Sequence, residues 1–222
     1  MKYVDPTGKI WEDPEEAERL KNNIDNRITS VKKAIAKKQA KLDKEDLSEK
    51  QAAKLEREIS NDNDRISNLN TSKDDIDVLG ADENNVYKLS QTNGGEHKVR
   101  QGSDGKVYIE TSSDALSIHE ITHVRQSLNA GGLEFSSNGE LINATGYARQ
   151  GSEQWYKAIT GNEVEASKMQ YSYDLSFPGR TSNLQGINVH SVGNIMNNGQ
   201  PVYLLINKYS IFLRNQQKLL GK

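Results

Sequence analysis

The chain has 222 residues, 34% of them hydrophobic and 6% aromatic, enough for one mid-sized domain or two small ones but not for one large core. Its 29 Lys and Arg against 31 Asp and Glu leave a net charge of −2, so no overall charge draws it to nucleic acid or to an anionic membrane. It contains no cysteine, which excludes disulfides, thiolate nucleophiles and thiolate metal ligands.

The first residues, MKYVDPTGKIWEDPEEAERL, lack the apolar core of a signal peptide, and no run of about 18 apolar residues follows. The expectation is a soluble chain that inserts in no membrane and that travels as part of something larger if it acts outside its cell of origin. From Asp13 the helix-start signals are dense: Asp13 can cap, Pro14 suits the first turn, and Glu15 and Glu16 favour the positive end of the dipole. Leu20, Ile24, Ile28, Val31, Ile35 and Leu42 then form one narrow apolar stripe. DKEDLSEKQ interrupts it. Ser48 and Gln51 read as a capping box for a second helix with the stripe Leu55, Ile59, Ile66, Leu69 and Ile76, in which Asp62 takes an apolar position. Residues 14–79 are therefore expected to form an antiparallel, coiled-coil-like helical hairpin with arms roughly 45 Å long. Such a hairpin is either a spacer or an arm that binds a partner.

From residue 85 the period changes to two. NVYKLS, EHKVR and KVYIET are separated by QTNGG and QGSDG, which predicts a small antiparallel meander. A helix capped near Ser113 follows, then a Gly-, Ser- and Asn-rich loop at 129–139, helical stretches at 140–158 and 162–172, an apolar run from Val202 to Ile206 and an amphipathic tail. The fold class is α+β, with a second unit over 81–222.

The helix after the third strand carries His119, Glu120 and His123 in the order His-Glu-x-x-His. Side chains four apart lie about 40° apart around a helix, so both imidazoles can reach one zinc ion, while Glu120 is turned about 100° from His119 and can serve as general base. Ile118, Ile121, Val124 and Leu128 occupy the opposite arc, so the histidines point away from the helix's own apolar face. A hydrolytic zinc site needs a third ligand and an open position. Glu163 and Glu165 are the candidates, on a short helix that Asn162 would cap. Tyr171, Tyr173 and His190 are candidates for stabilising an oxyanion, although a tyrosine that packs its ring and wets its hydroxyl is the plainer reading of the first two. His97 reads as solvent-exposed, and Arg125 and Gln126 as surface or salt-bridge residues. KVYIE, beside the motif, is either an interior strand or an edge that pairs with an extended substrate.

His119-Glu120-x-x-His123 followed by Asn162-Glu163-Val164-Glu165-Ala166 resembles the gluzincin class of zinc metallopeptidases over about residues 105–172. The resemblance implies a zincin-like domain over 81–222 with an active-site helix and a glutamate helix, Zn2+ as cofactor and a peptide or protein substrate. Gluzincins often have a small residue three positions after the ligand glutamate. Ala166 stands there for Glu163 and Lys168 for Glu165, so the role falls on Glu163. A second resemblance lies in YVDPTGKIWEDPEEAE, with Tyr3, Asp5, Pro6 and Gly8, which is similar to the segment that closes RHS-repeat cores before their variable ends. It implies that residues 1–13 are a remnant of that core and that the rest is a bacterial effector toxin, delivered by an RHS carrier chain and neutralised by an immunity protein. The rival expectations are a housekeeping peptidase and a non-enzymatic binding module with a structural metal. Loops 129–139 and 174–200 would shape specificity, and their polar composition does not name a substrate.

Overall fold

A computed structural model describes residues 11–219 except 45, 93–96, 143, 147, 180 and 182. Tyr3, Asp5, Pro6 and Gly8 lie outside these residues. Helix α1 spans Pro14–Lys44 and starts where Asp13 Oδ1 accepts from the main-chain N of Glu15 at 3.2 Å. Helix α2 spans Glu49–Gly80, and Gln51 Oε1 accepts from the main-chain N of Ser48 at 3.0 Å, which satisfies a donor just outside the helix start. Ion pairs Lys21–Asp77 at 2.6 Å, Lys73–Asp25 at 2.6 Å and Lys38–Asp62 at 2.8 Å run in opposite sequence directions, so the two helices are antiparallel. Asp62 is buried in the seam, where Lys38 and Arg65 offset the cost of its charge.

The hairpin has two unlike halves. Near its base Ala17, Leu20, Ile24, Ile28, Leu69, Ile76 and Leu79 are buried in one core with Trp11, Tyr87, Val107, Ile109, Ile118 and Val124. Among the described residues none from 32 to 61 is buried, because an isolated helix pair has no third layer to cover its seam. The base is thus built into the core that carries the site, while the outer half is an exposed arm.

Strands β1 (Tyr87–Gln91), β2 (Lys98–Gln101) and β3 (Val107–Thr111) form a sheet ordered β1-β3-β2. The antiparallel meander is not what forms. β2 pairs antiparallel with β3, but β1 lies on the other side of β3 and runs parallel to it, with Tyr87 opposite Val107 and Gln91 opposite Thr111. The tight Gly102–Gly105 turn holds β2 against β3, whose buried Val107, Ile109 and Thr111 belong at the centre of the sheet. β1 reaches the free edge of β3 only through the longer connection 92–106, as parallel pairing requires. Because β3 is interior, its main chain is not available to a substrate.

Helix α3 spans Asp114–Asn129, and Ser113 Oγ accepts from the main-chain N of Leu116. Helix α4 is a single element, Glu153–Asp174, capped by Ser152. This corrects the two separate helices at 140–158 and 162–172: Gly161 and Asn162 lie inside α4, and residues 140–152 form no helix among those described. The burial of Ile159, Thr160, Glu163 and Ala166 carries the helix through the glycine, since tertiary packing outweighs a local propensity cost of about 1 kcal/mol. A turn of 3-10 helix (Leu184–Gly186), helix α5 (Val189–Gly193), the β4/β5 ribbon (Met196–Asn197, Gln200–Pro201) and helix α6 (Leu204–Leu219) follow. Tyr171, Leu184, Ile187, Val192, Ile195 and Ile206 make a second core beneath them. No described helix is long and apolar enough to cross a membrane.

Candidate metal centre

The site forms where α3 packs on α4. Ile118, Ile121 and Val124 of α3 are at most 1% exposed and enter the main core, which turns the opposite arc toward α4 rather than toward solvent. His119 and Glu163 are consequently buried, at 7% and 6% exposure. His119 Nε2 lies 3.2 Å from His123 Nε2, and the Glu163 carboxylate straddles the pair, with Oε1 3.2 Å from His119 Nε2 and Oε2 3.3 Å from His123 Nε2. One donor atom from each residue falls in a group within 4.8 Å of one another, a group that can hold a metal ion.

The donors fit a metal on three grounds. Bond lengths of about 2.0–2.1 Å in tetrahedral geometry separate ligand atoms by about 3.3 Å, close to the spacings seen here. Glu163 Oε1, although buried, makes no aligned hydrogen bond among the described residues. Two imidazoles and one carboxylate are also the donor types of hydrolytic zinc sites, and they leave a fourth position for solvent or substrate.

The electrostatics follow from confinement. Burial pushes the Glu163 carboxyl upward, but its contacts with His119 and His123 outweigh this and hold it well below the usual carboxylate range. Burial lowers the His123 imidazole, and the hydrogen bond and charge of Glu163, with Glu120 behind it, more than reverse that. The pocket therefore favours positive charge. Glu120 is half-buried and its carboxylate makes no hydrogen bond or ion pair among the described residues.

Glu165 does not face the imidazoles. Its Oε2 accepts from Gln126 Nε2 at 2.9 Å, while Gln126 also meets His123 Nδ1. Asn162 is not a helix cap, and its side-chain amide donates to Ala144 O. Of the oxyanion candidates, Tyr171 is buried in the second core. The Tyr173 hydroxyl donates to Asp114 Oδ2 at 3.0 Å, with the Arg27 guanidinium 5.0 Å from its ring centre. His190 Nδ1 lies 2.7 Å from Ser210 Oγ and accepts from Arg214. None of the three has a polar contact with His119, His123 or Glu163 among the described residues. Arg125 pairs with Asp75 at 3.6 Å, and His97 is half-buried rather than exposed.

The residue that does approach the site is Tyr203, just before α6. Burial, then the nearby charges of Glu163 and Glu120, push its hydroxyl strongly upward, so it stays protonated. Nothing local marks it: Tyr203 sits inside the apolar run Val202 to Ile206, which reads as core, and only the return of the chain over α4 brings it near Glu163. No family model, curated protein or solved structure matches this chain.

Proposed function

We propose that the chain is a zinc-dependent hydrolase that cleaves peptide bonds, with His119, His123 and Glu163 holding the metal and Glu120 acting as general base. The observation that carries this reading is the convergence of the buried His119 and Glu163 with the half-buried His123, from two separate helices, beside a carboxylate with no hydrogen bond or ion pair among the described residues. A bound zinc ion would supply Lewis acidity and lower the pKa of water at the open position to about 7. Glu120 takes a proton from the attacking water and returns it to the leaving amine, a role that suits an unpaired, half-buried carboxylate. Tyr203 keeps its proton and donates a hydrogen bond to the oxyanion that develops on the scissile carbonyl. That role moves from Tyr171, Tyr173 and His190 to Tyr203 because the first three point elsewhere.

The Tyr3 to Gly8 segment supports a biological setting: a delivered antibacterial effector of the RHS type, met by an immunity protein in its producer. Zinc stoichiometry of the purified chain, followed by expression of wild type and Glu120→Gln in the cytoplasm and the periplasm of a sensitive bacterium, tests both parts. Glu120→Gln is expected to bind zinc as wild type does and to lose hydrolysis by about 10²–10⁴-fold, and toxicity with it. Equal toxicity of the two forms would sink the enzymatic reading, and a chain that takes up no zinc would sink the site.

A further inference from the structure

Gln126 lies one turn beyond His123 on α3, and its single amide meets three groups: His123 Nδ1 at 2.9 Å, the main-chain oxygen of Asn162 at 3.0 Å and Glu165 Oε2 at 2.9 Å. Two of these, a peptide carbonyl and a carboxylate, can only accept hydrogen bonds. A primary amide has two N–H donors on one end and a carbonyl acceptor on the other. With both donors directed to α4, the carbonyl end is left for the imidazole. The reversed amide would set its oxygen against two oxygens and lose both contacts with α4, keeping only an N–H to the ring in its other tautomer.

We infer that Gln126 is a positioning residue, oriented by Asn162 and Glu165, that keeps the proton on His123 Nδ1 and so presents the bare Nε2 lone pair to the metal. This inference rests on reading His119, His123 and Glu163 as metal donors. Acceptors on α4 orient an amide on α3, and the amide selects the tautomer of His123. This arrangement gives Glu163 and Glu165 of α4 separate tasks. Glu163 faces the imidazoles directly, while Glu165 orients the group that orients His123. It also makes the two histidines unlike, because the buried Nδ1 of His119 has no hydrogen-bond partner among the described residues.

Long-range 1H–15N spectra of histidine-labelled protein read the ring tautomers directly, and competition with a chelator reads zinc affinity. In metal-free wild type, at a pH where the ring is neutral, His123 is expected to be protonated at Nδ1. Gln126→Leu should give a mixture of tautomers and raise the zinc dissociation constant about 10- to 100-fold. The reciprocal exchange, Gln126→Glu with Glu165→Gln, keeps an acceptor at His123 and a donor between the helices, so it should recover most of that loss. Wild-type affinity and an unchanged Nδ1 proton in Gln126→Leu would overturn the inference, as would a reciprocal exchange as weak as Gln126→Leu. If wild type binds no zinc, the metal reading fails, and the tautomer of His123 in the two metal-free proteins still decides whether Gln126 sets it.

Discussion

Replacing Glu163 by Gln tests the metal centre where its geometry is most specific. Glu163 is buried at 6% exposure and offers an oxygen to each imidazole at 3.2 and 3.3 Å, so the isosteric amide preserves volume while removing the anionic donor. A ligand that binds only the folded state at 100 times its dissociation constant adds about 2.7 kcal/mol of stability. For a chain of this size that raises the melting temperature by roughly 5–11 °C. Loss of a direct ligand should weaken binding by at least the roughly 100-fold seen for outer partners, so the same free zinc would then sit near the new dissociation constant and add only about 0.4 kcal/mol, or about 1 °C. The measurement is scanning calorimetry of each variant, stripped by chelator and then in buffered zinc. Taking the difference within each variant cancels the effect of the substitution on the metal-free fold. Glu165→Gln is the control and should keep most of the shift. A full zinc shift in Glu163→Gln together with its loss in Glu165→Gln would refute the assignment of the third donor.

Tyr203→Phe removes a hydroxyl close to Glu163 without touching a proposed ligand. Peptide hydrolysis should fall about 10²–10³-fold in kcat with zinc affinity unchanged, and full activity would remove Tyr203 from the reaction. Gly161→Ala should stabilise the fold by about 1 kcal/mol in urea unfolding, since a Cβ there meets no atom within 4 Å and α4 runs through the position. A loss of stability would mean that the helix breaks at the glycine. Asp75 is pushed up to about 6, by burial first, against the opposing Arg125, with Glu165 and Asp74 adding to the rise. The folded state then keeps a proton that the unfolded chain has released, so this group's contribution to stability falls as pH rises from about 4 to about 6. Asp75→Asn should flatten that decline and gain about 1–2 kcal/mol at neutral pH after allowance for solvent screening, and a pH profile identical to wild type would contradict it.

Much of this protein could be read locally. The stripes of α1 and α2, the Ser48–Gln51 pairing and the Ser113 start of α3 depend on residues a few positions apart, and the period of a helix or a cap is set within that span. His119 and His123 share a face for the same reason, so two of the three donors follow from spacing alone. The remaining features depend on how elements meet. Alternation marked β1 and β3 as strands but did not say which edges pair, because either side of β3 offers the same hydrogen bonds. Gly161 and Asn162 read as a break, yet Ile159, Glu163 and Ala166 are buried on either side and the Asn162 amide finds Ala144 O, so the helix continues. Glu163 and Glu165 differ by about 200° around α4. Which of them meets the histidines was decided only when α3 and α4 crossed, and Tyr203 came near Glu163 only when the end of the chain folded back over α4. Short-range periodicity determines which way a side chain leaves its own helix; what it then faces belongs to the packing of helices distant in sequence.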